Sequence, residues 1–233
     1  MYESSKLRIL LPSSGSLYQG SMQFMANAGL QVEKESDRKL TGSVKGEVGI
    51  EIIFQRSGDI PLSIDNAMGD VGITGLDRYL EHCEYSKRSY VLKENLMFGD
   101  SKLVVAVPDG WIDVTTVADL IEVSYEFREK AQNLRLATKY PRLVRRKLEE
   151  FGVTNIVLVT ASGGLEAAPV VGYADIIADI TVTGNTMREN NLRPLDDGIL
   201  FESQAALVAS KSISKDVKSE FDDFVKAVEF EKN

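Results

Sequence analysis

The chain has 233 residues, 43% hydrophobic and 27% charged, which is the composition of a globular protein with one large domain or two small ones. Its formal net charge of −8 argues against non-specific binding to nucleic acid, which requires a basic face. The single cysteine and single histidine, Cys83 and His82, exclude a disulfide framework and a clustered zinc site within this chain.

The sequence carries no sign of export or membrane insertion. Its first residues lack a basic start, a long apolar stretch and a small-residue cleavage site, and no run approaches the ~18 apolar residues of a membrane span. The single cysteine fits a reducing compartment. We therefore expect a cytoplasmic protein with no membrane contact.

Short apolar runs rich in β-branched residues alternate with helical patterns along the chain. This alternation predicts an α/β fold with mostly parallel sheets. The predicted strands cover residues 7–11, 47–54, 71–74, 102–107, 134–138, 156–160 and 175–181. The glycine-punctuated run between Leu40 and Ile50 predicts a β-hairpin.

Helices are predicted from their caps and from apolar residues at helical spacing. One follows Asp59 and is closed by Gly69, and a longer one begins with Asp113 as its N-cap. A third starts at Pro141 and stops at Gly152. Its predicted buried residues are Leu143, Val144, Leu148 and Phe151. A last helix is expected near the end of the sequence.

Two lobes are predicted, although no proline- or glycine-rich linker marks their boundaries. The loop at 92–100 is the first expected crossing, and the second follows Asn190. The first lobe would then contain residues 1–95 and about 191–233, and the second residues 96–190. We expect the ligand between the lobes, near the carboxyl ends of strands.

The stretch DITVTGNTMREN, residues 179–190, predicts a strand that turns on Gly184 into a helix. Such a turn gathers N–H groups at one point, where a phosphate monoester fits. The side chains that would add hydrogen bonds are those of Thr183, Asn185 and Thr186. An ordinary strand-to-helix turn with a threonine cap explains the same pattern, so both interpretations stay open.

Other residues near strand ends are also candidates for a polar ligand. Asp175 and Asp179 lie in the strand before the turn, where they could accept hydrogen bonds from ribose hydroxyls. Glycine-bearing turns follow two further predicted strands, at 69–77 and 160–169, and the three turns together favour a common crevice. Arg56 ends a strand and could form a bidentate contact with phosphate. The basic run 138–147 is interpreted mainly as a solvated helix face.

Over nearly its whole length, the chain resembles the catalytic subunit of the ATP phosphoribosyltransferase family. The stretches that carry the resemblance are RSGDIP, GDVGITGLD, FGDSKLVVAVP, RLATKYPRLVRR and SGGLEAAPVVGYADIIADITVTGNTMRENNL. The last is similar to the family's segment for phosphoribosyl diphosphate (PRPP). The resemblance implies two α/β lobes of the periplasmic-binding-protein type II kind with a ligand cleft between them. It also implies the short form, without a C-terminal regulatory domain.

The resemblance further implies the reaction and its participants. The phosphoribosyl group of PRPP would be transferred to N1 of the adenine of ATP, with release of pyrophosphate and with Mg²⁺, as the first step of histidine biosynthesis. A homodimer or larger assembly is implied, together with a separate regulatory subunit similar to histidyl-tRNA synthetase.

Site residues follow from the resemblance position by position. The PRPP-binding residues would be Asp175, Asp179, Thr183, Gly184, Asn185, Thr186, Gly163 and Glu166. The ATP-binding residues would be Arg56, Thr74, Gly75, Ser13 and Ser16. Arg56 and Asp179 would serve catalysis, and no metal ligands are implied.

One loop departs from the family's pattern. Where many members carry a Lys-Gly-Arg type loop after the first strand, residues 11–17 read LPSSGSL and hold no cation. The departure leaves an alternative open, a non-catalytic phosphoribosyl-ligand-binding or regulatory paralogue on the same scaffold. An extracytoplasmic solute-binding protein would share the architecture, but no export signal is visible.

Overall fold

The computed structural model describes residues 6–34, 36, 38–161 and 163–229. Its strands are β1 (Leu7–Pro12), β2 (Val32–Glu33), β3 (Thr41–Val44), β4 (Glu47–Gln55), β5 (Val71–Gly75), β6 (Ser89–Lys93), β7 (Ser101–Pro108), β8 (Leu134–Thr138), β9 (Ile156–Thr160), β10 (Ile176–Thr181), β11 (Leu192–Ser203) and β12 (Ala205–Ser210). Its helices are α1 (Ser16–Asn27), α2 (Ile60–Asp65), α3 (Leu76–Cys83), α4 (Val117–Glu129), α5 (Pro141–Glu150), α6 (Ala168–Val171), α7 (Asn185–Glu189) and α8 (Lys218–Glu229). None of the helices in this described part is both long and apolar enough to cross a membrane.

The chain folds into two compact units. The first contains the described residues of Met1–Gly99 and Gln204–Asn233, and the second is Asp100–Ser203. The sequence placed the divisions after residue 95 and near residue 191. Strand β11 pairs with β7 from its first residue to its last, which keeps the whole strand in the second unit.

The first unit is built on a mixed sheet with strand order β2-β3-β4-β1-β5-β12-β6. Strand β1 lies at its centre and runs parallel to both neighbours, β4 and β5. On one face, Ile9 packs in a core with Phe24 of α1 and Phe224 of α8. On the other, Leu10 packs against Ile60 of α2 and the α3 side chains. The alternation of β1 side chains therefore anchors helices on both faces.

The second unit has a smaller sheet with strand order β11-β7-β10-β8-β9. Strands β10, β8 and β9 are parallel, whereas β7 and β11 run antiparallel to their neighbours. Its core includes Val104, Ile177 and Met187, all nearly inaccessible to solvent. The carboxyl ends of three parallel strands consequently meet at one edge.

All the predicted strands are present, within one residue of the predicted bounds, and so is the hairpin of β3 and β4. The prediction of mostly parallel sheets is wrong. Both sheets are mixed, because β11 and β12 return antiparallel to the strands they join. Helix α1 and strands β6, β11 and β12 were not predicted.

Three local predictions for the helices need correction. The N-cap of α4 is Thr116 and not Asp113; Thr116 forms a capping box with Asp119. Gly69 does not close α2, which ends at Asp65; a Cβ at position 69 would overlap the buried Leu10 side chain. Phe151 is 38% exposed and does not join the core.

Candidate functional site

The second unit gathers strand-to-helix turns at the carboxyl edge of its parallel strands. Residue 139 begins the turn after β8, residues 163–164 lie in the turn after β9, and residues 182–184 form the turn after β10. Strands β8 and β10 are adjacent, with Thr138 and Ala178 aligned. The turns that follow them therefore lie side by side, in the position where α/β sheets place ligand sites.

Gly184 shapes the turn between β10 and α7. Its φ of 73° lies in the left-handed region, and it occupies the N-cap position of the helix. The Gly184 N–H donates to the Thr181 hydroxyl over 2.8 Å, which ties the turn to the end of the strand. The helix is confirmed where the sequence placed it, directly after the glycine.

Arg188 closes the turn from the helix side. Its guanidinium donates to the backbone carbonyl of Thr183 over 3.1 Å and also to the side-chain oxygen of Asn185. The Thr183 hydroxyl in turn accepts from the Asn185 N–H over 3.4 Å. Thr183, Asn185 and Thr186 are all exposed. The turn is thus pre-formed by its own hydrogen bonds and carries a cation over it.

Asp179 is the buried acid of this edge. It lies two residues before the end of β10 and is 7% exposed. One carboxylate oxygen accepts from the Ile180 N–H over 2.8 Å, and the other accepts from the Lys139 ammonium over 3.2 Å. Burial raises the pKa of Asp179, the adjacent Glu166 raises it further, and the charge of Lys139 opposes both.

Asp175, which the family resemblance placed beside the ribose, lies at the amino end of the same strand. It precedes β10, and the six steps of chain from Asp175 to Thr181 alone span about 20 Å at about 3.3 Å per residue. Its carboxylate binds Arg135 through two charge-assisted hydrogen bonds of 2.8 and 3.1 Å. Asp175 therefore holds two strands together and is too far from the turn to share its ligand.

The turn after β9 contributes Gly163 and Glu166. Gly163 is exposed, and a Cβ placed on it would meet nothing within 4 Å. Gly164 has a φ of 60°, which brings the chain into the short 3₁₀ turn Leu165–Ala167. Glu166 in that turn is half-buried and acts electrostatically on Asp179, so the two carboxylates belong to one neighbourhood.

The first unit gathers the other candidate residues at the carboxyl edge of β4, β1 and β5. The Ser13 N–H donates to the Gln55 carbonyl over 2.7 Å, which joins the loop after β1 to the end of β4. Arg56 directly follows Gln55 and is exposed, and its side chain bonds to no described residue. Ser16 is exposed at the first residue of α1.

Thr74 and Gly75 are placed to shape this edge. Thr74 is fully buried, and its hydroxyl donates to the Ser57 carbonyl over 2.8 Å, which holds the loop that carries Arg56. A Cβ at Gly75 would overlap the carboxylate of Asp77. The Thr74 hydroxyl is thus engaged in supporting the loop, and the contact of Thr74 and Gly75 with ATP stays a prediction.

Sequence reasoning missed Lys139. The residue belongs to a basic run that was interpreted mainly as a solvated helix face. Its position directly after a predicted strand, before Pro141 starts the helix, is the signal that separates it from the helical cations. In the described residues, no grouping of three or more histidine, cysteine, aspartate or glutamate side chains is arranged to hold a metal ion.

Comparison with known sequences gives the family. The profile of the ATP phosphoribosyltransferase family matches residues 56–229. An ATP phosphoribosyltransferase of Bradyrhizobium diazoefficiens is 38% identical over 210 residues, covering 89% of this chain and 65% of that protein. One of Mesorhizobium japonicum is 39% identical over 208 residues, covering 88% of this chain and 90% of that protein. The chain thus spans 65% of the first relative and most of the second.

Solved structures also match the chain over most of its length. An ATP phosphoribosyl transferase (HisG:HisZ) complex from Thermotoga maritima matches with a TM-score of 0.65 and 26% identity, covering 97% of this chain and 100% of that chain. The arginine-, lysine-, histidine-binding protein ArtJ from Geobacillus stearothermophilus shares only the fold, with a TM-score of 0.55, 11% identity, and coverage of 96% and 88%. The fold class is confirmed as α/β of the periplasmic-binding-protein type II kind. The chain belongs to the ATP phosphoribosyltransferase family, whose members are transferases of the pentosyltransferase kind in histidine biosynthesis.

Proposed function

We propose that this chain transfers the phosphoribosyl group of PRPP to N1 of the adenine of ATP, with release of pyrophosphate, as the first step of histidine biosynthesis. The observation that carries the proposal is the joint placement of Asp179 and the Gly184 turn at one strand end. The carboxylate lies near the end of β10, and the turn that we propose to bind an anion follows directly. This arrangement suits a sugar phosphate with a reacting anomeric carbon.

The PRPP 5-phosphate is proposed to bind at the turn of residues 183–186. The Thr186 hydroxyl and the Thr186 N–H donate to none of the residues that the structure describes, and they are available to a phosphate. The Arg188 guanidinium already lies over the turn and supplies positive charge, and Gly184 lets the backbone approach closely. Gly163 leaves open space on the neighbouring turn for the diphosphate end.

Asp179 is proposed to act on the ribose. The anomeric carbon gathers positive charge as its bond to pyrophosphate breaks, and a buried carboxylate stabilises that charge more strongly than an exposed one. Glu166, which acts electrostatically on Asp179, would add to the negative potential there. The ribose hydroxyls are assigned to these two residues, and Asp175 is withdrawn from the set.

ATP is proposed to contact the edge of the first unit that carries Arg56. The exposed guanidinium bonds to none of the residues that the structure describes and can form a bidentate contact with a phosphate. Ser13 and Ser16 would donate hydrogen bonds from the loop after β1, and Thr74 and Gly75 would fix the loop geometry. These neutral donors replace the cations that many relatives carry there, so Arg56 is the main positive charge proposed for this edge.

The family generally uses a metal ion, and we propose Mg²⁺. Since the described residues offer no cluster of three or more potential ligands, the ion is proposed to enter with the substrates, chelated by their phosphate oxygens. When bound, Mg²⁺ would neutralise charge on the leaving pyrophosphate. No protein ligand is assigned to it.

The same relatives support a proposal about the partner of this chain. The Thermotoga maritima protein is described as a HisG:HisZ complex, and this chain covers that transferase chain fully. We propose that the present chain works with a separate regulatory subunit similar to histidyl-tRNA synthetase, in a homodimer or larger assembly, and that it acts in the cytoplasm.

The test is a turnover assay. The full-length chain is mixed with PRPP, ATP and Mg²⁺, with and without the synthetase-like subunit from the same genome, and pyrophosphate and phosphoribosyl-ATP are measured. Formation of both products in equal amounts is the expected result. PRPP binding without turnover, in the presence of the subunit, would contradict the proposal and favour a ligand-binding paralogue.

A further inference from the structure

Lys139 and Asp179 form an ion pair at the reacting edge of the second unit. The ammonium and the carboxylate lie 3.2 Å apart, and the two side chains are 25% and 10% exposed. The pair is set by the sheet, because β8 and β10 are parallel neighbours and Thr138 aligns with Ala178. Lys139 follows Thr138 at the end of β8, and Asp179 follows Ala178 within β10.

Both oxygens of the Asp179 carboxylate are engaged. The Ile180 N–H fixes one oxygen over 2.8 Å, and Lys139 fixes the other. The Ile180 donor is a backbone group, which a substitution of Lys139 does not remove. Both contacts favour the ionised carboxylate, and Lys139 is the one that a side-chain substitution can test.

The charged groups around Asp179 are few in the described part of the chain. Strand β7 places Val104 opposite it, and Lys102, two residues away on that strand, pairs with Glu202 over 3.0 Å. Helix α6 carries no charged residue, and the turn before it carries Glu166. Burial raises the pKa of Asp179, Glu166 raises it further, and Lys139 is the cation that lowers it.

We infer that Lys139 is a positioning residue for the transferase reaction, which holds the Asp179 carboxylate ionised and correctly rotated beside the ribose. The inference rests on the proposed function and adds a role outside the contacts assigned to PRPP and ATP. Without the ammonium, the buried acid would be more readily protonated, and the charge opposite the anomeric carbon would be lost at the acid end of the working range.

The test compares kcat/KM against pH for the full chain with its regulatory subunit, in the parent, Lys139→Met and Lys139→Arg. For Lys139→Met, the factor by which kcat/KM falls below the parent value should be roughly tenfold larger at about pH 6 than at about pH 9. The effect on kcat should exceed the effect on the KM for PRPP. Lys139→Arg should restore most of the parent profile. The matched control is Lys147→Met, because Lys147 is 27% exposed, close to the exposure of Lys139, and pairs with Glu150 over 2.7 Å and not with Asp179.

A double-mutant cycle separates positioning from a structural effect. In an Asp179→Asn background, Lys139→Met should change kcat by less than about threefold, because there is no carboxylate left to hold. Additive losses, or a pH-independent loss in Lys139→Met with an unchanged melting temperature, would overturn the inference. Failure of the parent chain to turn over would instead reject the proposed function, so the two failures are distinct.

Discussion

The Asp175 carboxylate and the Arg135 guanidinium are joined by hydrogen bonds of 2.8 and 3.1 Å at the amino end of β10. Arg135 also donates its backbone N–H to Asp175 and its remaining nitrogen to the Gly172 carbonyl. This arrangement engages both side chains at the edge of the sheet that lies opposite the Gly184 turn. We therefore expect a structural role for Asp175, which the family resemblance assigned to PRPP.

Replacing Asp175 should therefore reduce stability and leave PRPP binding unchanged. Asp175→Asn is expected to lower the free energy of unfolding by about 1–2 kcal/mol, because a charged hydrogen-bond partner is lost while Arg135, 40% exposed, stays partly solvated. Urea unfolding at neutral pH measures the loss. Asp223→Asn, which breaks an exposed pair with Lys226, is the control and should cost little. A raised KM for PRPP at unchanged stability would return Asp175 to the site.

The same pair predicts a pH dependence. Burial tends to raise the pKa of Asp175, but the hydrogen bonds and charge of Arg135 outweigh it, and the pKa lies below the ordinary value. The contribution of Asp175 to stability is then complete above its unfolded pKa and disappears as pH falls through the lower folded pKa. The difference in stability between parent and Asp175→Asn should shrink in that acid range. A difference that grows on acidification would contradict the assignment.

Thr181 should matter for PRPP affinity although it is outside the predicted contacts. Its hydroxyl accepts from the Gly184 N–H and sets the opening of the turn. Thr181→Val keeps the volume and removes the acceptor, so the KM for PRPP should rise by roughly fivefold to tenfold, equivalent to about 1 kcal/mol. Thr181→Ser should restore the parental KM. An unchanged KM in the valine variant would show that the turn does not hold the phosphate.

Arg56 should affect activity without affecting stability. Its side chain is exposed and bonds to no described residue. Arg56→Ala should therefore keep the melting temperature within about 1 °C of the parent value. Removing the proposed contact with a phosphate of ATP should lower kcat/KM for ATP by roughly a hundredfold. Arg38→Ala, at another exposed arginine of the first unit, is the control. Equal losses in both variants would remove Arg56 from the proposed site.

Gly69 is required by packing. A Cβ at this position would overlap the Leu10 side chain, which is fully buried under α2 and has no room to retreat. Gly69→Ala should lower the free energy of unfolding by about 1–3 kcal/mol. Gly110→Ala is the matched control, since nothing lies within 4 Å of its Cβ. Equal stability of the two variants in denaturant titrations would refute the packing argument.

The capping box of α4 gives a second acid-sensitive contact. Backbone hydrogen bonds from Thr115 and Thr116, with that of the Thr116 hydroxyl, lower the pKa of Asp119 to about 2. The stabilisation is present above the ordinary value of 3.8 and is lost as pH falls through about 2. Asp119→Asn should lower the melting temperature at neutral pH, and the two proteins should converge near pH 2. Asp113→Asn, at the predicted but incorrect cap, should have little effect at any pH.

Much of the fold was readable from local patterns. Apolar runs marked β1, β8 and β10, because strands that are buried over most of their length stay mostly apolar. Strand β11 was missed because its sequence, LRPLDDGILFES, combines a proline, two aspartates and a glycine, and the pairing with β7 is irregular at those residues. Helix α1 follows a loop of serines and glycine, and Gly15 at its N-cap provides no side-chain hydrogen bond. The sequence therefore contained no signal for the start of this helix.

The sequence alone determined the family, the strand-turn-helix around Gly184 and the candidate pair Asp179 and Arg56, because these depend on residue types within short stretches of chain. Tertiary structure decided which of the candidates share a neighbourhood. Asp175 and Asp179 are equivalent in a linear pattern, yet Asp175 precedes the amino end of β10 whereas Asp179 lies two residues before its carboxyl end, close to the Gly184 turn. Lys139 and Asp179 are forty residues apart in sequence and are brought together only by the parallel register of β8 and β10.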